Sequence, residues 1–394
     1  MLKETIELLK KTYRFSDETL NIYEKAIKDV EEEFKMYDKI REFNQLKILR
    51  AFQEERISDS HFTNSSGYGY GDIGRDSLDL VYAKVFNCEK ALVRPHFVNG
   101  THAIGAALMG NLRPNNTMLT ITGTPYDTLH NIIGINCDES IGSLREYGVN
   151  YKQLDLLNGK IDIEKVKEIL KEDKSIKLVH MQRSTGYGWR NSFLVDELEE
   201  AIKEVKSIRD DVIVFVDNCY GELIDTKEPT DVGADLMAGS LIKNIGGGIA
   251  PTGGYIVGKA KYVDQASYRL TIPGIGGECG STFGVMRQMF QGLFLAPHIA
   301  IEAVKGAVFC ARVMELSGFE VLPKYNEKRS DIIQAIKFND EEKLIKFCKG
   351  IQKASPIDSF VECEPWDMPW YNDKVIMAAG AFIQGSSIEL SADA

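Results

Sequence analysis

Three short stretches of the chain combine residue types that could do covalent or acid–base chemistry. In Ala238-Gly239-Ser240-Leu241-Ile242-Lys243-Asn244, followed by Gly246, Gly247 and Gly248, a lysine sits among small and apolar neighbours in a glycine-rich turn. A desolvated ammonium loses its proton more readily, and the neutral amine can act as a base or form a Schiff base with an aldehyde. Ser240 precedes Lys243 by about one helical turn, a spacing that lets both address one ligand. In Val212-Ile213-Val214-Phe215-Val216-Asp217 an apolar run reads as a buried strand ending on an ionisable residue, at the edge where open α/β sheets bind ligands. A carboxylate so buried needs a cation or a donor, and a bound ligand or a helix cap could each supply it. In Val98-Asn99-Gly100-Thr101-His102 a strand-like run passes into small helix formers, gathering free N–H groups and a hydroxyl at a helix N-terminus. That arrangement suits a phosphate, and it equally suits a plain N-cap. Tyr126, in the turn Gly123-Thr124-Pro125-Tyr126-Asp127, offers a ring that could stack on a ligand.

One ligand answers to all of these: a phosphorylated ring with an aldehyde for Lys243 and a nitrogen cation for Asp217. Pyridoxal 5'-phosphate has that chemistry, because its pyridinium needs an acidic partner to draw off electrons. Other ligands fit less well. The P-loop pattern GxxxxGK[ST] is absent, and the glycines at 246 to 248 follow the lysine instead of opening a helix after a strand, which argues against a dinucleotide site. The six histidines show no H-E-x-x-H or other paired spacing, so no metal site is expected. Cys219 and Cys279 lie near glycine-rich loops without a neighbouring histidine base, so a thiol nucleophile has little support.

These residues must be positioned by regular elements, and the pattern of the chain supplies them. Apolar runs at Ala91–Val93, Met118–Ile121, Lys177–Met181, Val212–Val216 and Tyr255–Val257 alternate with helix-like stretches. Such alternation predicts an α/β fold with a mainly parallel sheet and helices on both faces. Before it, apolar residues at Tyr23, Ile27, Val30, Phe34, Tyr37 and Ile40, then Leu46, Leu49 and Phe52, recur at helical spacing, with Ser16 as N-cap. After it, Phe283 to Leu316 reads as a long helix kinked at Pro297, then short strands at Phe319–Leu322 and Val375–Ile383 flank a helix near Glu341–Lys353. The organisation expected is an N-terminal helical arm (1–60), a large ligand-binding domain (61–295) and a smaller C-terminal α+β domain (296–394).

The composition agrees with an enzyme-sized cytoplasmic protein. The 394 residues are 44% hydrophobic and 27% charged, enough for a large core. A formal charge of −11 would repel polyanions, so nucleic acid is not an expected partner. No apolar run approaches a membrane span, and the start MLKETIELLKK has no cleavable apolar segment. Seven scattered cysteines without a C-x-x-C pair read as reduced thiols.

The order strand-Asp217, then S-x-x-K at 240 to 243, with Lys243 26 positions after Asp217 (243 − 217), resembles the fold type I pyridoxal phosphate enzymes. Within them the chain resembles the cystathionine and methionine gamma-lyase group, and more narrowly its bacterial branch known as aluminium resistance protein or methionine gamma-lyase-like. The resemblance rests on GYGYGDIGRD (67–76), RPHFVNGTHAI (94–104), MQRSTGYGWR (181–190), VDNCYGE (216–222) and SLIKNIGGGIAPTGGYIVG (240–258), and extends from about residue 15. It implies a carbon–sulfur lyase that eliminates a thiol from a sulfur amino acid, or alternatively an aminotransferase or gamma-replacement synthase; a non-catalytic protein keeping the fold is the reading from another class. It implies that Lys243 carries the cofactor, Asp217 pairs with the ring nitrogen, and Gly100, Thr101 and Ser240 hold the phosphate. Tyr126 would stack on the ring and assist proton transfer, and Ser184 or Arg183 would contact the cofactor or the substrate. Tyr70, and with it Tyr68, would reach the phosphate of a neighbouring subunit, making a homodimer or homotetramer the working unit. Relatives of this branch continue beyond Gly385–Asp393, so a tail bearing the arginine for the substrate carboxylate is expected to follow Ala394.

Overall fold

The computed structural model describes residues 1–135, 141–367 and 373–394. Three helices open the chain: α1 (Lys3–Lys11), α2 (Asp17–Asp29) and α3 (Glu31–Glu54), the last contributing Ile48 and Ala51 to the main core. The Ser16 hydroxyl caps α2, accepting from the Thr19 N–H at 3.1 Å. Alternating elements follow: α4 (Ile73–Val85), β1 (Lys90–Arg94), α5 (Gly100–Asn111), β2 (Thr117–Thr120), α6 (Asp127–Ile133), β3 (Asn150–Gln153), α7 (Ile163–Glu172), β4 (Ile176–Gln182), α8 (Val195–Ile208), β5 (Ile213–Asp217), β6 (Leu236–Ser240), β7 (Gly254–Gly258) and α9 (Ala260–Leu270). Helix α10 (Met286–Leu316) leads to β8 (Glu320–Leu322), β9 (Ala335–Lys337), α11 (Glu341–Ala354), β10 (Met377–Ala379) and β11 (Ser391–Asp393).

The sheet has seven strands in the order β1-β7-β6-β5-β4-β2-β3, with β7 antiparallel to its neighbours and the remaining pairs parallel. Its central strands are apolar on both sides because both faces are covered. Along β5 the alternation is clean: Val214 and Val216 join the core beneath α4, α7 and α8, while Ile213 and Phe215 join the core beneath α5 and α9. The same period of two runs through β6, where Leu236 and Ala238 face α5 and Met237 faces the other way. Helix α8 meets its side of the sheet with a stripe of Leu198, Ala201, Ile202 and Val205, spaced for one helical face.

Two strands of the sheet are absent from the apolar runs of the sequence. Strand β3 reads Asn150-Tyr151-Lys152-Gln153 and lies at the sheet edge, where one flank needs no apolar cover. Strand β6 is built of small residues that also suit a turn. Helix α10 runs unbroken through Pro297. Among the described residues it is the one helix long and apolar enough to cross a membrane, but Phe290, Leu293, Ala300, Ile301, Val304 and Val308 are buried inside the protein. The C-terminal part carries two small two-stranded sheets, β8 with β9 and β10 with β11, the latter packed on α11. The six described cysteines are free thiols; Cys137 lies outside the described residues.

Candidate functional site

Strand parity decides which side chains can meet. Asp217 ends β5 in the same phase as Ile213 and Phe215, and Ser240 ends β6 in the same phase as Leu236 and Ala238, so both project toward α5. The two strands are hydrogen-bonded neighbours, with Asp217 opposite Ala238. The N-terminus of α5 closes the gap: a β-carbon on Gly100 would lie 3.0 Å from Ser240 Cβ and 3.2 Å from Cys219 Sγ. Glycine is therefore required there by the close approach of helix, strand and turn. Asn99 caps α5 through His102 N–H at 2.9 Å, and the Thr101 hydroxyl meets that of Thr128 at 2.9 Å.

Asp217 is buried and has no ion pair with a basic side chain among the described residues. Its Oδ1 accepts from the Cys219 N–H at 3.1 Å. Loss of solvent pushes its pKa up to about 6, only partly offset by the contacts with Cys219. A buried acid without a cation of its own fits a ligand that brings one.

Lys243 stands beyond β6 in extended backbone, φ −102° and ψ −153°, at the start of a single 3-10 turn. Ser240 and Lys243 are thus joined by a tight turn and not by the helical turn read from their spacing; Lys243 N–H reaches the Ser240 carbonyl oxygen at 3.4 Å. The Lys243 ammonium donates to the carbonyl oxygen of Gly385 and to Ser387 Oγ at 3.2 Å, and it lies 4.7 Å from the centre of the Tyr220 ring. Burial lowers its pKa below the usual lysine value, while Cys219, Asp393 and Glu222 pull the other way.

The turn that links these strands is conformationally unusual. Tyr220 and Leu223 both adopt left-handed backbone, φ 70° and 65°, although neither is glycine. Each such residue costs roughly 1–2 kcal/mol and persists only where surrounding bonds enforce it. Asn244 Nδ2 donates to the carbonyl oxygens of Tyr220 at 2.8 Å and Glu222 at 3.2 Å, and Leu223 N–H donates to Glu228 Oε1 at 2.7 Å.

Tyr126 sits just before α6, its N–H bonded to Gln182 Oε1 at 2.7 Å. Its ring stacks on Tyr187, with centroids 5.8 Å apart and an interplanar angle of 22°. Tyr187 in turn donates its hydroxyl to Asp393. Gln182 lies in MQRSTGYGWR but has no role assigned to it from sequence, although it ends β4 directly opposite Asp217 and so shares its face.

Arg183 and Ser184 are engaged by the protein itself. Arg183 continues the phase of Val179 and Met181, away from α5. It is fully buried, with Nη1 donating to Glu228 Oε2 at 3.0 Å and Asn218 Oδ1 at 2.9 Å, and Nε to Ser330 Oγ at 2.8 Å. The Ser184 hydroxyl donates to Asp331 Oδ2 at 2.9 Å, which also accepts from Thr185 N–H at 3.0 Å. On this same far face Tyr255 donates its hydroxyl to Glu222 Oε1 at 2.8 Å. Gly239 leaves room for that pair, since a β-carbon there would come within 2.6 Å of both oxygens. Burial pushes the Glu222 pKa up to about 8.

Tyr68 and Tyr70 are 77% and 68% exposed on the isolated chain, their rings 5.7 Å apart. They do not hang loose. Arg75, itself buried, donates from Nη1 to the Gly69 carbonyl oxygen at 2.7 Å and to that of Gly280 at 3.3 Å, and from Nη2 to the Glu278 carbonyl oxygen at 3.2 Å.

A mainly parallel α/β sheet that presents an acid, a hydroxyl and a lysine at the carboxyl ends of adjacent strands, facing a glycine-started helix, has the fold of the fold type I pyridoxal phosphate enzymes. The chain belongs to the methionine gamma-lyase family, which matches it over residues 19–394. It superposes with a TM-score of 0.97 on a solved protein of Clostridium acetobutylicum described as a candidate cystathionine beta-lyase involved in aluminium resistance, at 70% identity over 100% of this chain and 92% of the other. A carbon-sulfur lyase involved in aluminium resistance from Clostridium novyi NT gives 0.96 and 68%, with the same coverage. The uncharacterized protein YnbB of Bacillus subtilis is 52% identical over 360 residues, 91% of this chain and 85% of YnbB.

Proposed function

We propose that the protein is a pyridoxal 5'-phosphate-dependent carbon–sulfur lyase acting on a sulfur amino acid of the cystathionine, methionine or cysteine type. The observation that carries this reading is Asp217: a buried carboxylate without a basic partner among the described residues, on the same face as Ser240 and the α5 N-terminus. When bound, the cofactor supplies an electron sink adjacent to the substrate's α-carbon. Asp217 would hold the ring nitrogen protonated, and the N–H groups of Gly100 and Thr101 with the Ser240 hydroxyl would take the phosphate. Lys243 would hold the cofactor, then remove and return protons at the substrate, a role favoured by an amine whose burial lowers its pKa. Tyr126 would cover the ring and pass a proton to the departing thiol, with Ser184 nearby. Tyr70 and Tyr68, exposed on an ordered loop, would complete the site of a second copy, in a homodimer or homotetramer working in the cytoplasm.

The test is spectroscopic and chemical. Protein loaded with the cofactor is expected to show a visible band that Lys243→Ala abolishes, and to release thiol, keto acid and ammonia from cystathionine, methionine or cysteine. A keto acid appearing only with an added amino acceptor would replace the lyase with an aminotransferase, and the absence of both band and product would leave a binding protein.

A further inference from the structure

The turn leaving β5 holds a residue that none of the roles above uses. Tyr220 is left-handed, φ 70°, and its carbonyl oxygen is clamped by the carboxamide of Asn244, the residue directly after Lys243. This clamp ties the turn to the lysine loop at a conformation an unconstrained tyrosine avoids. Its outcome is specific: the Tyr220 ring lies 4.7 Å from the Lys243 ammonium, and the Tyr220 hydroxyl meets the Ser387 side chain, which itself accepts from Lys243 at 3.2 Å. Ring face, hydroxyl and Ser387 thus form a closed set of contacts around one amine.

We infer that Tyr220 is a positioning residue for the Lys243 amine, its ring face fixing where the end of a four-carbon tether stands and its hydroxyl fixing the Ser387 acceptor. The inference rests on Lys243 being the reactive lysine. It concerns the free amine, so it can be tested on cofactor-free protein whatever the reaction turns out to be. An ammonium over an aromatic face is stabilised by the ring quadrupole, so removing the ring favours the neutral amine.

The experiment labels cofactor-free protein with acetic anhydride across a pH series and follows acetylation of Lys243 by mass spectrometry. Tyr220→Leu is expected to shift the labelling midpoint to lower pH, raising the fraction of neutral amine at a fixed pH by about 3- to 10-fold. Tyr220→Phe keeps the ring and should stay within about 2-fold of wild type. Cys219, Asp393 and Glu222, the acidic groups that act on this amine, are unchanged in every variant. Tyr220→Gly separates positioning from backbone effects, because it relieves the left-handed strain while removing the ring. It should show the midpoint of Tyr220→Leu. A wild-type midpoint in folded Tyr220→Leu or Tyr220→Gly would overturn the inference. Absence of the visible band and of turnover in wild-type protein, with the midpoint shifted in the variants, would overturn only the lyase reading.

Discussion

Asp217 and Glu228 are both buried carboxylates near the carboxyl edge of the same sheet, and they lie on opposite sides of it. On the α8 side Glu228 meets the Arg183 guanidinium, the Asn218 amide and the Leu223 N–H, so its charge is balanced from within the chain. On the α5 side Asp217, among the described residues, meets only the N–H and thiol of Cys219. Glu222 is a third case: it has the Tyr255 hydroxyl, and burial keeps it protonated near neutral pH. Of the three, only Glu228 is ion-paired by the fold; Glu222 stays protonated with its Oε2 unpartnered, and Asp217 has no basic partner among the described residues, which is the feature a cationic ligand would complete.

The largest effect expected from breaking this contrast is at Arg183. Arg183→Met would leave Glu228 buried and unpaired, and urea denaturation of cofactor-free protein should show a loss of about 3–5 kcal/mol. The double variant Arg183→Met with Glu228→Gln should recover part of it.

Glu222 comes next. Its folded pKa of about 8 exceeds its ordinary value of 4.5, so the native state holds the extra proton and stability falls as pH rises between those limits. Between pH 6 and 8 wild type should lose roughly 2 kcal/mol more than Glu222→Gln, which cannot ionise. Parallel stability profiles for the two proteins would show that Glu222 is charged in the fold.

Asp217 should give a smaller change of opposite sign to that at Arg183. Its folded pKa of about 6 lies above the ordinary 3.8, so the cost of its charge grows as pH climbs from about 4 and is complete above about 6. Asp217→Asn should therefore stabilise cofactor-free protein by about 1–2 kcal/mol at pH 7, the amide returning part of the gain through a poorly matched donor. With the cofactor added the order should reverse, wild type gaining more in melting temperature than the variant.

These differences explain what can be read from the chain alone. Asp217 is legible because it follows an apolar strand, Ser240 and Lys243 because S-x-x-K leads into a glycine-rich turn, and Gly100 because a glycine opens a run of small helix formers. The α8-side network is not. Arg183 and Glu228 are 45 residues apart, and Ser184 and Asp331 are 147 apart, with no motif to join them. The family resemblance offers Arg183 to the ligand, yet its position in the phase of Val179 and Met181 turns its side chain to the other face. Strand β6 is hidden for a related reason: Ala238 and Gly239 are small because α5 and the Glu222–Tyr255 pair press on them from either side, and small residues carry no strand signal.

Arg75 has a further consequence. By holding three carbonyl oxygens from two segments, it fixes the loop of Tyr68 and Tyr70 within the single chain. Whatever docks against those rings meets a surface already in its final shape, so association forfeits rigid-body freedom, on the order of 4–15 kcal/mol, without the added entropy loss of freezing a loop. In the homodimer or homotetramer proposed above, Arg75 would thereby set how readily two molecules recognise each other, from a position that solvent cannot reach.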